Sequence, residues 1–425
     1  MRTALSSIQW MVFMIAGTIV TPIAVAASFG MDAHETAGLI QRTIFVLGLS
    51  SLLQVLFGHR YPINEGPAGL WWGVFVIYAS LGPTLFGSHE KTLQAIEAGI
   101  LASGVLFILL SLFGLIEKIS KLFTPVVTGV YLLLLVSQLS GSFLNGMLGV
   151  GYRKEGVDLH VAGLCFVLIV FTFLLIRKGP AVVRQYAILI SLAIGWVLFA
   201  LFDLAIPIER PNQFIAFPQI FAFGEPVWDT GMIVTSAFIT LLLLANLIAS
   251  IQVVDQVLKN QGIQNGETRY RQAGFMTGIN QLLGGFFSAI GCVPISGAAG
   301  FIATTKISAK LPFIIGSVLV ITMSFFPAIT SFFAALPTPV GFATIFTIFA
   351  SMIGLAFEEF DKVQDAKQAR YVIGISLLTG IGAMFVASSA FKGIPPIVTS
   401  LLNNGLVLGT VVAIFVDQLT KSRTK

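Results

Sequence analysis

Apolar residues run along the chain in blocks of about twenty, the length at which a helix crosses a bilayer. Eleven blocks are continuous: 8–29, 38–57, 92–114, 121–141, 159–176, 185–204, 231–254, 311–332, 338–357, 370–389 and 398–417. Three more, 62–82, 272–290 and 291–306, are interrupted by glycine, proline or polar residues. Together they predict an all-α polytopic membrane protein of fourteen transmembrane segments.

Two of the interrupted blocks open on nearly the same phrase, "PINEGPAG" at 62–69 and "PISGAAG" at 294–300. Ungapped, Pro62 pairs with Pro294, Ile63 with Ile295 and Asn64 with Ser296; a one-residue gap then pairs Gly66 with Gly297 and Gly69 with Gly300. Proline favours an extended residue before it, and glycine lets a ligand approach the main chain. Extended backbone at membrane depth survives only where protein or a water-filled cavity satisfies it. A helix can restart after each break, with Pro67 at a first helical position and Ser296 as an N-cap. Two helix N-termini would then face a polar or anionic ligand.

The longest connection, 205–230, holds Pro207, Pro211, Pro218 and Pro226 and lies at the chain's midpoint. It divides the chain into 1–204 and 231–425, each with seven segments, the third and tenth being the broken ones. An odd number per half inserts the second half upside down, the inverted repeat of many secondary transporters.

Charge supports this count. Placing the N-terminus inside puts 18 Lys and Arg in inner connections and tails and 5 in outer ones, with Arg42 inside a span. Omitting any one weak segment would invert every later loop and spoil this bias. Both termini are therefore expected in the cytoplasm, with the protein in the plasma membrane.

Of the 425 residues, 56% are hydrophobic and 10% charged, and mean hydropathy is +0.93. That excludes a water-soluble surface, since soluble domains carry about 25% charged residues. The net charge of +5 follows from the inner loops and does not suggest nucleic acid. The apolar stretch after Met1-Arg2 exceeds a signal-peptide core and reads as a retained span. Cys165 and Cys292 lie in apolar surroundings, and the four histidines are scattered, so neither disulfide nor metal spacing is present. No Walker A, G-x-S-x-G or H-E-x-x-H motif occurs, so the sequence predicts neither an enzyme nor a cofactor.

Ionisable groups inside a membrane are costly and mark function by default. Glu65, within the first phrase, can accept imide N–H groups or carry a coupling proton; it can equally pair with Arg60 or cap a helix. Asp255 reads as paired with Lys259 at i, i+4. On the eighth segment, Asn246 and Ser250 share a face while Gln252 looks elsewhere, and hydrogen bonds between helices account for each as well as ligand contact does. Gln41 and Arg42 read as interfacial. Trp71 and Trp72 offer faces on which a base could stack, or pack at a domain interface. Lys306 reads as an inner-surface anchor, and 358–370 as a charged cytoplasmic loop.

At these residues the chain resembles the xanthine/uracil permeases, the nucleobase–ascorbate transporter family. "SIQWMVFMIAGTIVTPIAV" looks like that family's first span, and "GLSSLLQVLFGHRYPINEGPAG" is similar to its second span running into its third. "GFFSAIGCVPISGAAGFIATTK" lies where the family has its glycine-rich approach and signature, here Gly297, Ala298, Ala299, Gly300, Thr305 and Lys306. The resemblance implies a core domain from segments 1–4 and 8–11, a gate domain from 5–7 and 12–14, and frequently a homodimer. It also implies nucleobase uptake with protons, or sodium in some members. Two departures mark a divergent member. Gly297 and Ala298 replace the signature's polar pair. In "ANLIASIQVVDQV" the usual base-gripping Glu falls at Ala249, or at Asn246 in another register.

The expected function is proton-coupled import of nucleobases, purines such as xanthine or urate, by alternating access. The expected substrate-binding residues are Glu65, Gly66, Ala68, Gly69, Ala249, Ser250, Gly297 and Ala298, with Glu65 as coupling candidate. Two alternatives stay open: an anion carrier of the related sulfate/bicarbonate fold, and a receptor that binds without transporting.

Overall fold

The computed structural model describes residues 2–180, 183–184, 186–263, 269–386 and 404–422, with single positions 390, 398 and 402 between. The end of the predicted segment 370–389, most of the start of 398–417, and Lys392 lie outside the described residues.

Among the described residues the regular structure is helical apart from two three-residue strands. In the first half, α1 (Arg2–Ala16), α2 (Val20–Phe29) and α3 (Ala33–Leu56) lead to β1 (Glu65–Pro67). Then come α4 (Gly69–Phe86), α5 (His89–Leu112), α6 (Ile116–Ser120), α7 (Pro125–Met147), α8 (Leu159–Lys178) and α9 (Ala187–Leu201). The second half holds α10 (Thr230–Asn260), α11 (Tyr270–Phe286), β2 (Cys292–Pro294), α12 (Gly297–Thr305) and α13 (Lys310–Ser324). It ends with α14 (Pro327–Ala334), α15 (Thr338–Asp361), α16 (Ala366–Met384) and α17 (Gly405–Ser422).

Over the described residues, each predicted block falls on a helix or a strand–helix unit. Among the described residues, eight helices can cross a membrane by length and apolarity, or nine if the bent pair α13–α14 is one span. The predicted single span 311–332 is that bent pair, turned by 85° at the break, where Pro327 starts a new helix because it has no N–H to continue the old one. The first block breaks too: residues 17–19 separate α1 from α2.

Caps fix several helix starts. Asp32 and Glu35 form a reciprocal capping box at α3, and Asp229 accepts from the Met232 N–H at α10. The helices pack in two groups. One joins α3 with α13, α5 with α10 and α11, and α1 with α13; the other joins α7 with α15 and α17, and α16 with α17. Small residues permit the closest approaches. A Cβ on Gly380 would lie 2.7 Å from the Gly405 carbonyl oxygen, so α16 and α17 meet backbone to backbone.

Candidate functional site

The two interrupted phrases meet in space. β1 pairs antiparallel with β2 in the register Glu65↔Pro294, Gly66↔Val293 and Pro67↔Cys292. The ladder extends one pair each way: the Ile295 N–H donates to the Asn64 carbonyl at 2.9 Å, and the Ala68 N–H to the Gly291 carbonyl at 2.9 Å.

This register explains the prolines. Residues 64, 66 and 68 sit at hydrogen-bonded positions, so the main-chain groups of 65 and 67 point away from the partner strand. Pro67 and Pro294 both occupy such outward positions, where a missing N–H costs no ladder bond. Several of the outward groups that remain find partners on flanking helices. The Glu65 N–H donates to Ser51 Oγ at 2.9 Å on α3. The Pro294 carbonyl accepts from Asn246 Nδ2 at 3.1 Å and Ser250 Oγ at 3.0 Å on α10.

A two-fold operation on this register equates Glu65 with Cys292, Gly66 with Val293 and Pro67 with Pro294. The phrase match, which set Pro62 against Pro294, is therefore five residues out of step. Pro67 lies in the strand, α4 starts two residues later, and Ala68 holds its N-cap position. Ser296 occupies the N-cap position of α12, but its side chain caps nothing.

Side chains alternate across a strand, so the pair has two faces. On one, Glu65 is fully buried, close enough to Asn280 of α11 and Cys292 of β2 to interact with both. Neither carboxylate oxygen of Glu65 closes a hydrogen bond among the described residues, and neither polar atom of the Asn280 side chain does. No salt bridge to Arg60 forms among the described residues. On the other face, a Cβ on Gly66 would lie 2.8 Å from Ile295 Cγ1 and 3.9 Å from Thr18 Oγ1. Here the break between α1 and α2 approaches the strands.

The expected site residues divide accordingly. Ala249 and Gly297 are exposed, and Gly69 is half-buried. Glu65, Gly66, Ala68, Ser250 and Ala298 are buried; Ala298 faces the packed interior, so of the two altered signature positions only Gly297 is open. The Ser250 hydroxyl hydrogen is committed to Pro294, and Asn246 shares that acceptor.

Other residues take structural parts. Trp71 Nε1 donates to Gln281 Oε1 at 2.9 Å, and Gln281 Nε2 donates to the Cys292 carbonyl at 2.6 Å, tying α4 and α11 to β2. Trp72 packs edge-on against Phe143 and Phe349. Asp255 pairs with Lys259 at 2.6 Å and accepts from the Tyr61 hydroxyl at 2.8 Å. Gln252 is exposed. Gln41 and Arg42 are both buried in the protein, Gln41 against the Ala216 carbonyl of the connection between the halves.

Two contributors are easily missed in the sequence. Phe13 is half-buried and lies 3.9 Å from where a Gly297 Cβ would stand; its signal is an aromatic residue one turn before the Gly17 break. Asn280 is a polar residue inside a glycine-rich helix. Both cysteines are free and buried, Cys165 in the bundle and Cys292 in β2.

A profile described as "Permease family", that of the xanthine/uracil permeases, matches residues 1–389. The chain is 51% identical over 421 residues to "Putative purine permease YwdJ" of Bacillus subtilis (strain 168), covering 98% of this chain and 96% of that one. It is 26% identical over 427 residues to "Xanthine permease" of the same organism, covering 98% and 93%. Among solved structures, the transmembrane domain of the cyanobacterium bicarbonate transporter BicA superposes with a TM-score of 0.64 at 14% identity, covering 98% of this chain and 97% of that one. At that identity the likeness concerns the fold. Family, multi-pass helical fold and paired broken segments agree: the chain belongs to the xanthine/uracil permease family and is a membrane transporter, not an enzyme.

Proposed function

We propose that this protein imports nucleobases, purines such as xanthine or urate in particular, by proton symport through alternating access. The observation that carries the reading is the crossed strand pair. Both strands are buried; one face of the pair holds a carboxylate that closes no hydrogen bond among the described residues, and the start of α12 beside them is an open face, exposed at Ser296 and Gly297. The purine-permease names of the relatives support the substrate class.

In this reading the base lies on the open face beside Gly297 and Ala249. It meets the exposed main chain at Ser296 and Gly297, ahead of the Ala298 and Ala299 N–H groups, which donate to the Ile295 and Ser296 carbonyls, and it stacks on Phe13. Gly66, Ala68 and Gly69 give the first strand and the start of α4 the low profile that a planar ligand needs. Glu65 touches no substrate. It carries the coupling proton from behind the strands, where an ionised, fully buried carboxylate near Asn280 and Cys292 is costly. Protonation lets Glu65 donate to the Asn280 carbonyl oxygen, which relieves that cost. Ser250 positions β2 through Pro294. The group containing α1, α3, α5, α10, α11 and α13 forms the core domain, and that containing α7, α15, α16 and α17 the gate. Both termini face the cytoplasm at the plasma membrane, and the protein assembles as a homodimer.

The test is uptake of labelled xanthine, urate, guanine, hypoxanthine and uracil into liposomes under an imposed inward proton gradient. Wild type concentrates at least one purine; Glu65→Gln loses gradient-driven accumulation while exchange of base for base persists. Accumulation unchanged in Glu65→Gln would remove Glu65 from coupling. Binding of a base without flux in wild type would favour a receptor.

A further inference from the structure

Arg42 is a buried cation that this transport scheme leaves idle. It stands in α3 and is only 6% exposed. Among the described residues its guanidinium makes one hydrogen bond, from Nε to the Ser288 carbonyl at 3.3 Å. The Phe223 ring lies beneath it, 5.4 Å from Cζ to the ring centroid. Ser288 Oγ donates to Glu97 Oε2, so that carboxylate offsets the charge across one residue, yet no ion pair to Arg42 forms among the described residues. Nη1 and Nη2 are left without a protein acceptor there.

These two nitrogens do not face packed protein. Arg42 lines a cavity of about 990 Å³ beneath the connection that joins the two halves. The acidic lining residues Glu35, Glu90 and Glu209 are all exposed at its rim. Deeper in, Gln41 spends its amide hydrogens on the Ala216 carbonyl at 2.8 Å and the Ser324 carbonyl at 3.0 Å, which holds the connection down over the cavity. Beside Nη1 the wall is bare: Gly38, one helical turn away, leaves a gap in which a Cβ would lie 3.1 Å from Nη1.

A buried charge is costly unless paired, and a guanidinium with two parallel free N–H edges matches the two oxygens of a carboxylate or phosphate. We infer that this cavity is a binding site for a small oxyanion, carboxylate or phosphate in kind, held by Nη1 and Nη2 of Arg42 over the Phe223 ring. The site is separate from the strand pair, and it takes its ligand whether or not the transporter is cycling.

The experiment is calorimetric titration of the full chain, in phosphatidylcholine nanodiscs at fixed ionic strength, with inorganic phosphate and separately with benzoate. Wild type binds at least one of the two; which one assigns the oxyanion to the phosphate or the carboxylate kind. Arg42→Gln weakens binding by about tenfold or more, the worth of a charge-assisted hydrogen bond. Gly38→Ala keeps the charge and favours the helix but crowds Nη1, and weakens binding about two- to tenfold. Should Arg42→Gln fail to fold, Gly38→Ala carries the test. Glu65→Gln binds as wild type does, which separates this result from the fate of the transport scheme. No binding by wild type, equal binding by wild type and Gly38→Ala, or loss of binding in Glu65→Gln would each overturn the inference.

Discussion

The two broken segments share one strand register and then diverge. After β1, α4 runs for 18 residues with Leu70, Trp71, Trp72, Val74 and Phe75 buried. After β2, α12 runs for 9 residues, and Ser296, Gly297 and Gly300 are exposed. Where the first strand carries Glu65, its two-fold equivalent in the second is Cys292, a thiol no larger than a small apolar group. The strand geometry thus occurs twice with different chemistry: the first segment is the anchored side with the buried carboxylate, and the second is exposed at the start of its helix, the side on which the proposed function places the ligand.

The sharpest way to break this contrast is to add bulk to each copy in turn. Gly66→Leu drives a side chain into Ile295, whose Cγ1 would stand 2.8 Å from the new Cβ. Overpacking of this kind costs about 1–3 kcal/mol, so both the melting temperature and uptake should fall. Gly297→Leu places its Cβ 3.6 Å from Ile295 Cγ2 and 3.9 Å from Phe13 Cζ, ordinary contact distances. We expect that variant to melt with wild type yet lose uptake, because it fills the open face. Equal melting losses in both would erase the distinction between an anchored and an open copy.

A smaller effect sharpens the open side. Phe13→Ala removes the proposed stacking face, worth about 1–3 kcal/mol for a base on an aromatic ring. The half-saturation concentration for purine uptake should rise about tenfold or more; because Phe13 also packs on Trp10 and Phe301, the melting temperature should fall as well. An unchanged half-saturation concentration would move stacking elsewhere. Smallest of all, Ser250→Ala deletes one of the two donors to the Pro294 carbonyl. With Asn246 still in place, the loss should be about 0.5–1.5 kcal/mol, measured as a modest drop in thermal stability with substrate affinity near wild type. A large affinity loss would make Ser250 a ligand contact instead.

Local physics was legible along the chain: the apolar blocks, the two breaks and the linker all coincide with observed elements. Fourteen crossings remain an expectation from the charge bias, because α9, α11 and α12 are shorter than a bilayer-spanning helix. Relations between distant residues were much less legible. The repeated words around Pro62 and Pro294 are a matching string, whereas register is set by which N–H groups face the neighbouring strand, and that selects Pro67. Arg42 looks interfacial by depth along α3. Its burial depends on Phe223 and Ser288, which lie well over a hundred residues away in the chain. Ala249 and Ala298 are both alanines at family anchor positions, but only helix phase determines that the first is open and the second closed.

The two cysteines give the protein an unplanned practical property. Cys165 is 1% exposed and Cys292 fully buried, so thiol reagents in water should leave the native chain nearly unlabelled. A cysteine introduced in place of Ala249 or Gly297 would then provide a single accessible attachment point in an otherwise unaltered background. A membrane-impermeant maleimide added to one side or the other could report, turn by turn of the transport cycle, which solution the open face is meeting.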